Sequence, residues 1–189
     1  MSDAAPRDWS GLAEALAVHV RTFVENIEAV ASGKGGSDTV PVLLLETSQV
    51  LLVGAQLGAS GDVILSDNRE PSLGTDPDID ALRQGLADRL TEIDDYVEVF
   101  DPCRDQHVTP YRLSDDLADV AVDLVHGLRH YQAGRPLEAL WWWQFSYLNH
   151  WGNHAGAAMR ALHAIVVHNR LDVGSRGQNS GGGPMGPSR

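Results

Sequence analysis

Two histidines one helical turn apart, His150 and His154, have the type and spacing that could do chemistry in this chain. Imidazoles four residues apart on a helix point the same way and can share one metal ion. Two ligands are not a site, so a third must come from another element. Asp119 and Asp123 are the candidates, and with His126 and His130 they form a stripe at spacings of four, three and four. Carboxylates and histidines projecting from facing helices are the arrangement of bundle-core metal centres. Two facts weigh against it. The stripe lies off the apolar face of its own helix, where acids normally meet water, and the chain has no Glu-x-x-His pair. The favoured expectation is therefore plain: His150 and His154 are core histidines bonded to carbonyls or acids, and the Asp119–His130 stripe is a solvated face.

The two histidines close a segment, Leu140 to His154, that holds four of the five tryptophans. Aromatic side chains bury large areas, and Trp and Tyr carry a polar group that seeks a partner. On a regular helix of about 100° per residue, Trp143, Tyr147 and His154 share one arc with His150 at its edge. Trp141, Gln144, Leu148 and Trp151 share the neighbouring arc. Trp143, Tyr147 and Trp151 are thus expected as the wall of any pocket that His150 and His154 enter. Trp141, Trp142 and Trp143 spread over about 200° of helix and cannot all face one core element. Trp142 is then the residue expected at a protein interface.

The elements that must position these residues follow from apolar periodicity and punctuation. A first helix is expected from Trp9 to Ala31, and a second from about Asp38, Thr39 and Pro41 to Leu57. Residues 58–75 read as a connection in which Val63-Ile64-Leu65 is either a short strand or a packing staple. Asp76-Pro77-Asp78 opens a third helix with the stripe Ile79, Leu82, Leu86, Leu90, Ile93, Val97 and Phe100, stopped by Asp101-Pro102. Ser114-Asp115-Asp116 caps a fourth helix with Leu117, Val120, Ala121, Leu124, Leu128 and Tyr131 on its apolar face. Gly134-Arg135-Pro136 is a stop followed at once by a start, which makes helices four and five a tight antiparallel hairpin. Folding about Arg135 brings Asp116, Asp119 and Asp123 level with His154, Trp151 and Tyr147. The fifth helix runs from Pro136 to about Asn169, with a bend near Gly152. Gly174 to Arg189 has the composition of a disordered tail. The expected fold is an all-α, single-domain bundle of about five helices, residues 1–173, followed by the tail, 174–189.

Composition removes several function classes. The net charge is −12, and setting aside the tail with Arg176 and Arg189 leaves the rest near −14. Nucleic acid and anionic membrane both reward clustered Lys and Arg, and this chain has one lysine, Lys34. Neither is an expected partner. Cys103 is the lone cysteine, so no intrachain disulfide and no CxxC motif exist, which fits a cytoplasmic protein. The apolar run from Val40 to Leu57 is broken by Glu46, Thr47, Ser48 and Gln49 and reads as a buried helix. Ser32-Gly-Lys-Gly-Gly36 lacks the order and the preceding strand of a phosphate loop.

With these residues assembled, the chain resembles an all-helical bacterial family known only as a domain of unknown function. The match rests on Tyr96-Val-Glu-Val-Phe-Asp-Pro102, Trp143-Gln-Phe-Ser-Tyr147, His150-Trp-Gly-Asn-His154 and Arg160-Ala-Leu-His-Ala164. It covers about residues 9–170 and implies a helical fold without an activity, cofactor or substrate. Two functional classes survive. The favoured one is a non-catalytic interaction or regulatory protein with an acidic surface, as a homodimer or with another protein. The alternative is a metal- or small-ligand-binding bundle, enzyme included, that uses the His150/His154 face. No catalytic signature chooses between them.

Overall fold

The structure, a computed structural model, describes residues 9–34, 36, 39–66, 71, 74–75, 77–99, 101, 103–104 and 107–178, with side chains through Leu171. Helix α1 (Trp9–Ala31) buries the expected stripe of Leu16, Val20, Phe23, Ile27 and Val30. Helix α2 (Thr39–Gly58) buries Leu43, Val50, Val53 and Leu57 together with Glu46, whose carboxylate accepts a 2.8 Å hydrogen bond from Asn26. By length and composition α2 is the one described helix that could cross a membrane. In the bundle it lies between α1 and α6. Gly54 and Gly58 make room there for the Tyr147 ring, since a Cβ on Gly54 would sit 2.4 Å from it.

Among the described residues of 58–75 there is no strand. Val63 is instead a buried anchor, held by the side chain of Gln144. Its amide donates to Gln144 Oε1 at 2.8 Å, and Gln144 Nε2 donates to the Leu57 and Gly61 carbonyls at 2.9 and 3.2 Å. A single buried amide thus satisfies three backbone groups at the end of α2 and in the irregular segment after it.

The expected third helix is shorter than its apolar stripe. Helix α3 spans Asp80–Leu90, and Asp95–Glu98 forms strand β1, antiparallel to β2 (Thr109–Arg112) with Tyr96 opposite Tyr111. Ile93 and Val97 continue a helical spacing but are β-branched, and Tyr96 between them also favours strand. The deciding demand is non-local. Asp94 leaves the helix to serve the N-terminus of helix α4 (Leu113–Gln132). Its backbone carbonyl accepts from Leu113 N at 2.9 Å, and its carboxylate accepts from Ser114 N and Ser114 Oγ, each at 2.8 Å. Arg112 closes the buried group with a 2.7 Å ion pair. The expected local cap at Ser114-Asp115-Asp116 is therefore replaced by a cap from twenty residues upstream. Asp76, Phe100 and Pro102, which carried part of the earlier expectation, lie outside the described residues.

The hairpin forms as expected. Gly134 takes φ +76°, and Arg135 N and Gly134 N donate back to the His130 and Tyr131 carbonyls, each at 3.0 Å. This is the Schellman closure, which requires the left-handed residue that glycine supplies. Pro136 then opens helix α5 (Pro136–Ser146), followed without a break by a π-helical turn (Tyr147–Trp151) and helix α6 (Gly152–Gln178). The last helix thus runs past Gly174, and residues 179–189 of the expected tail lie outside the described residues. Gly152 permits the wide turn, because a Cβ there would sit 2.4 Å from the Tyr147 carbonyl oxygen. The extra residue of a π turn rotates everything after it by roughly 100° relative to an uninterrupted wheel. Leu148 is accordingly exposed, while Trp151, expected on the same arc, is fully buried.

Candidate metal centre

Helix α4 packs against α1, α3, α5 and α6, so little of its circumference is left for solvent. The stripe expected to face water is buried: Asp123, His126 and His130 are inside and Asp119 is half-buried, with Asp116 buried three residues before it. Its polar groups lie inside because the α5–α6 ridge brings a partner to nearly every one. His130 Nδ1 lies 2.9 Å from Glu138 Oε2. The His126 ring stacks on Trp142 with centroids 3.8 Å apart. Asp123 meets His150, and Asp116 meets His154. A solvated face would have left these groups to water; a buried one needs every partner in place.

His150 and His154 are arranged alike. Each presents Nδ1 to a carboxylate at 2.7 Å, His150 to Asp123 Oδ2 and His154 to Asp116 Oδ1. Asp116 also accepts a short hydrogen bond from the Tyr96 hydroxyl. With Nδ1–H committed to a carboxylate, each neutral ring keeps Nε2 as an open lone pair. The rings lie edge to face, centroids 4.7 Å apart. One ligand atom from each of Asp119, His150 and His154 falls within 4.8 Å of the other two. Bonds of about 2.1 Å to one ion space neighbouring ligands about 3 Å apart, so the three need close by no more than about two ångström. Asp119 (29% exposed) and His150 (48%) have the freedom to do so, whereas His154 (16%) is the fixed corner. Arg83 of α3 holds Asp119 Oδ1 at 2.8 Å and Asp115 at 3.3 Å, which leaves Asp119 Oδ2 for another partner.

The electrostatics follow from this crowding. Asp115, Asp116, Asp119 and Asp123 crowd a short stretch of α4; the Arg83 guanidinium meets Asp115 and Asp119, while Asp116 and Asp123 meet His154 and His150. The hydrogen bond to Asp116 raises the pKa of His154 above the ordinary imidazole value, against the opposing effect of burial. Burial raises the pKa of the Asp123 carboxyl, partly offset by its bond to His150. Tyr96 is pushed upward by burial first and by Asp116 second, and Tyr111 by burial and then by the same carboxylate with Glu98. Such a site attracts positive charge, whether a proton or a metal ion.

Of the residues singled out by sequence, His150, His154, Asp119 and Asp123 come together. Trp143 and Trp151 do not line the site: both are fully enclosed, with indole N–H groups bonded to the Leu124 and Trp143 carbonyls at 3.0 and 3.2 Å. Tyr147 faces Gly54 and Gly58 of α2. The expected pocket wall is thus core packing, with Tyr147 and Trp151 re-aimed by the π turn. Trp142 is half-buried against His126 rather than presented outward, and the outward residues are Phe145 and Leu148. Asp116, Tyr96 and Arg83 belong to the site and were not among its expected residues. Asp116 was legible from its level with His154, whereas Tyr96 and Arg83 depend on β1 and α3.

These features define a class: a helical bundle with a histidine–carboxylate cluster between two facing helices. The domain of unknown function DUF5063 matches residues 7–168, and the chain belongs to that family. Among solved structures, protein BF1032 from Bacteroides fragilis is similar, at 24% sequence identity over 79% of this chain and 89% of that one, with a TM-score of 0.64. That likeness concerns the fold. No curated protein matches the chain.

Proposed function

We propose that the protein binds one divalent transition-metal ion through His150, His154 and Asp119. The observation that carries this is the paired carboxylate–imidazole arrangement, in which Asp123 and Asp116 hold both Nδ1 atoms, together with the gathering of one ligand atom from each imidazole and from Asp119 within 4.8 Å. Histidine ligands in metal sites almost always donate their other N–H to a carboxylate or carbonyl, which fixes the tautomer and raises basicity. Two imidazoles and one carboxylate suit zinc or iron(II), and three protein ligands leave positions open, as in catalytic rather than structural sites. An ion held so would acidify bound water and polarise an oxygen of a small ligand. The excess of carboxylate over Arg83 supports a dication. The overall charge of −12 supports leaving nucleic acid and anionic membranes outside this reading, and the exposed, unpaired Cys103 suits a reducing cytoplasm. Metal analysis of the purified full chain, and after equilibrium dialysis against zinc, tests it. We expect one equivalent in the wild type and none in His154→Ala. Wild-type protein that retains no metal and binds none would refute the assignment.

A second reading, an interface between copies of this chain, has its own support. Trp141 and Phe145 stack at 4.9 Å and 8°, and Phe145 (46%) and Leu148 (60%) are exposed beyond them. Sedimentation of wild type and Phe145→Glu decides it: dimer lost in the variant supports the interface, and a wild-type monomer at all concentrations removes it.

A further inference from the structure

Five helical glycines have visible packing reasons, and Gly156 does not share them. A Cβ on Gly54, Gly58, Gly85, Gly127 or Gly152 would fall within 3 Å of a ring, a carbonyl or another residue's side chain. At Gly156, in the interior of α6, the nearest atom is Arg160 Nη1 at 3.9 Å, an ordinary contact. Glycine weakens a helix interior relative to alanine, so packing alone gives no reason for it there. What lies over Gly156 is a cavity of about 220 Å³, walled by Glu98, Tyr111, Asn153, His154 and Arg160. His154 is shared with the metal cluster. Arg160 is fixed along one edge, where Nε and Nη2 meet Glu98 Oε2 at 2.8 and 2.6 Å, while Nη1 stands beside Gly156.

We propose that this cavity is the ligand pocket of the metal centre and takes a small carboxylate, with Gly156 as its floor. The inference rests on the metal reading and adds its substrate class. The volume is below the usual range for drug-sized ligands, which restricts the occupant to a small molecule. Arg160 Nη1 and the Asn153 amide can donate to an oxyanion, and the bound ion supplies the charge that draws it in. Asp116, Asp119, Asp123 and Glu98 stand against Arg83 and Arg160, and that excess favours a monoanion over a phosphate dianion. Glycine at 156 leaves backbone, rather than a side chain, against the ligand.

The test uses the full chain loaded with cobalt(II), whose visible absorption reports both metal binding and exchange of its outer ligands. Acetate should shift the spectrum of wild type. Gly156→Leu, which fills the cavity, should bind cobalt(II) as before and respond to acetate at least about tenfold more weakly, the scale of one lost charged hydrogen bond. Should Gly156→Leu fail to fold, Arg160→Gln carries the same expectation. Cobalt(II) binding with an unchanged acetate response in these variants, or no response in wild type, overturns the pocket and leaves the metal centre standing. A response to inorganic phosphate as strong as that to acetate overturns the carboxylate assignment. Wild type that binds no cobalt(II) removes the metal centre and this pocket with it.

Discussion

The same substitution should have opposite signs at two glycines of facing helices. In Gly156→Ala the new Cβ meets only Arg160 Nη1 at 3.9 Å, so the helix gains alanine's propensity without strain. The expected gain is about 0.5–1 kcal/mol. In Gly127→Ala the Cβ lands 2.1 Å from Trp143 Nε1 and 2.4 Å from Cδ1, where ordinary contact begins at 3.4 Å. The indole must move by more than an ångström, yet it is fully buried and tied to the Leu124 carbonyl at 3.0 Å. Overpacking of about 1–3 kcal/mol and an orphaned buried N–H of similar size outweigh the helical gain of about 1 kcal/mol. A net loss of about 1–5 kcal/mol follows, which lowers the melting temperature by roughly 2–20 °C in a fold of this size. Far-UV circular dichroism melts of the two variants beside wild type measure both signs. A destabilised Gly156→Ala, or a Gly127→Ala as stable as wild type, would show that these helices pack differently and would sink the reasoning.

Three further outcomes follow from the site and its support. Asp116→Asn should weaken zinc affinity by about 10–100-fold through loss of the partner that orients His154, as read by competition with a chromogenic chelator; equal affinity would sever Asp116 from the site. Metal-free protein should lose stability as pH rises from 6.5, because the folded-state pKa of His154 is raised. That contribution is whole below the unfolded value and is lost through the folded one. Urea denaturation in chelator across this range should show the decline in wild type and not in His154→Asn, and parallel slopes would contradict it. Gln144→Leu strands the amide of Val63 and should reduce stability by about 2–3 kcal/mol, visible as a lower urea midpoint; an unchanged midpoint would mean that the 57–63 segment does not depend on it.

Local signals were legible and non-local demands were not. Gly134-Arg135-Pro136 announces the hairpin because left-handed closure and proline entry are properties of a few adjacent residues. From that hairpin, simple counting places Asp116 level with His154, the pair that forms, and Asp123 level with Tyr147, three residues short of its partner His150. The burial of the same stripe was not legible, since it depends on partners that each match one position of α4, such as Trp142 on His126. Residues 91–98 kept a helical apolar spacing and still formed a turn and a strand, because the N-terminus of α4 needed Asp94 more than α3 did. Wheel arithmetic failed for Tyr147 and Trp151 for a different reason. It assumes one uninterrupted period, and Gly152 allows a turn that breaks it.

That turn separates the two histidines' duties in a mechanical sense. His150 lies within the widened turn and His154 just beyond it, each moored to α4 through its own aspartate. An ion gripping both imidazoles would therefore act as a clasp across the π turn of the longest described helical run. Capture at the clasp would stiffen that turn, and the core packing of Tyr147 and Trp151 on either side would register whether the clasp is closed.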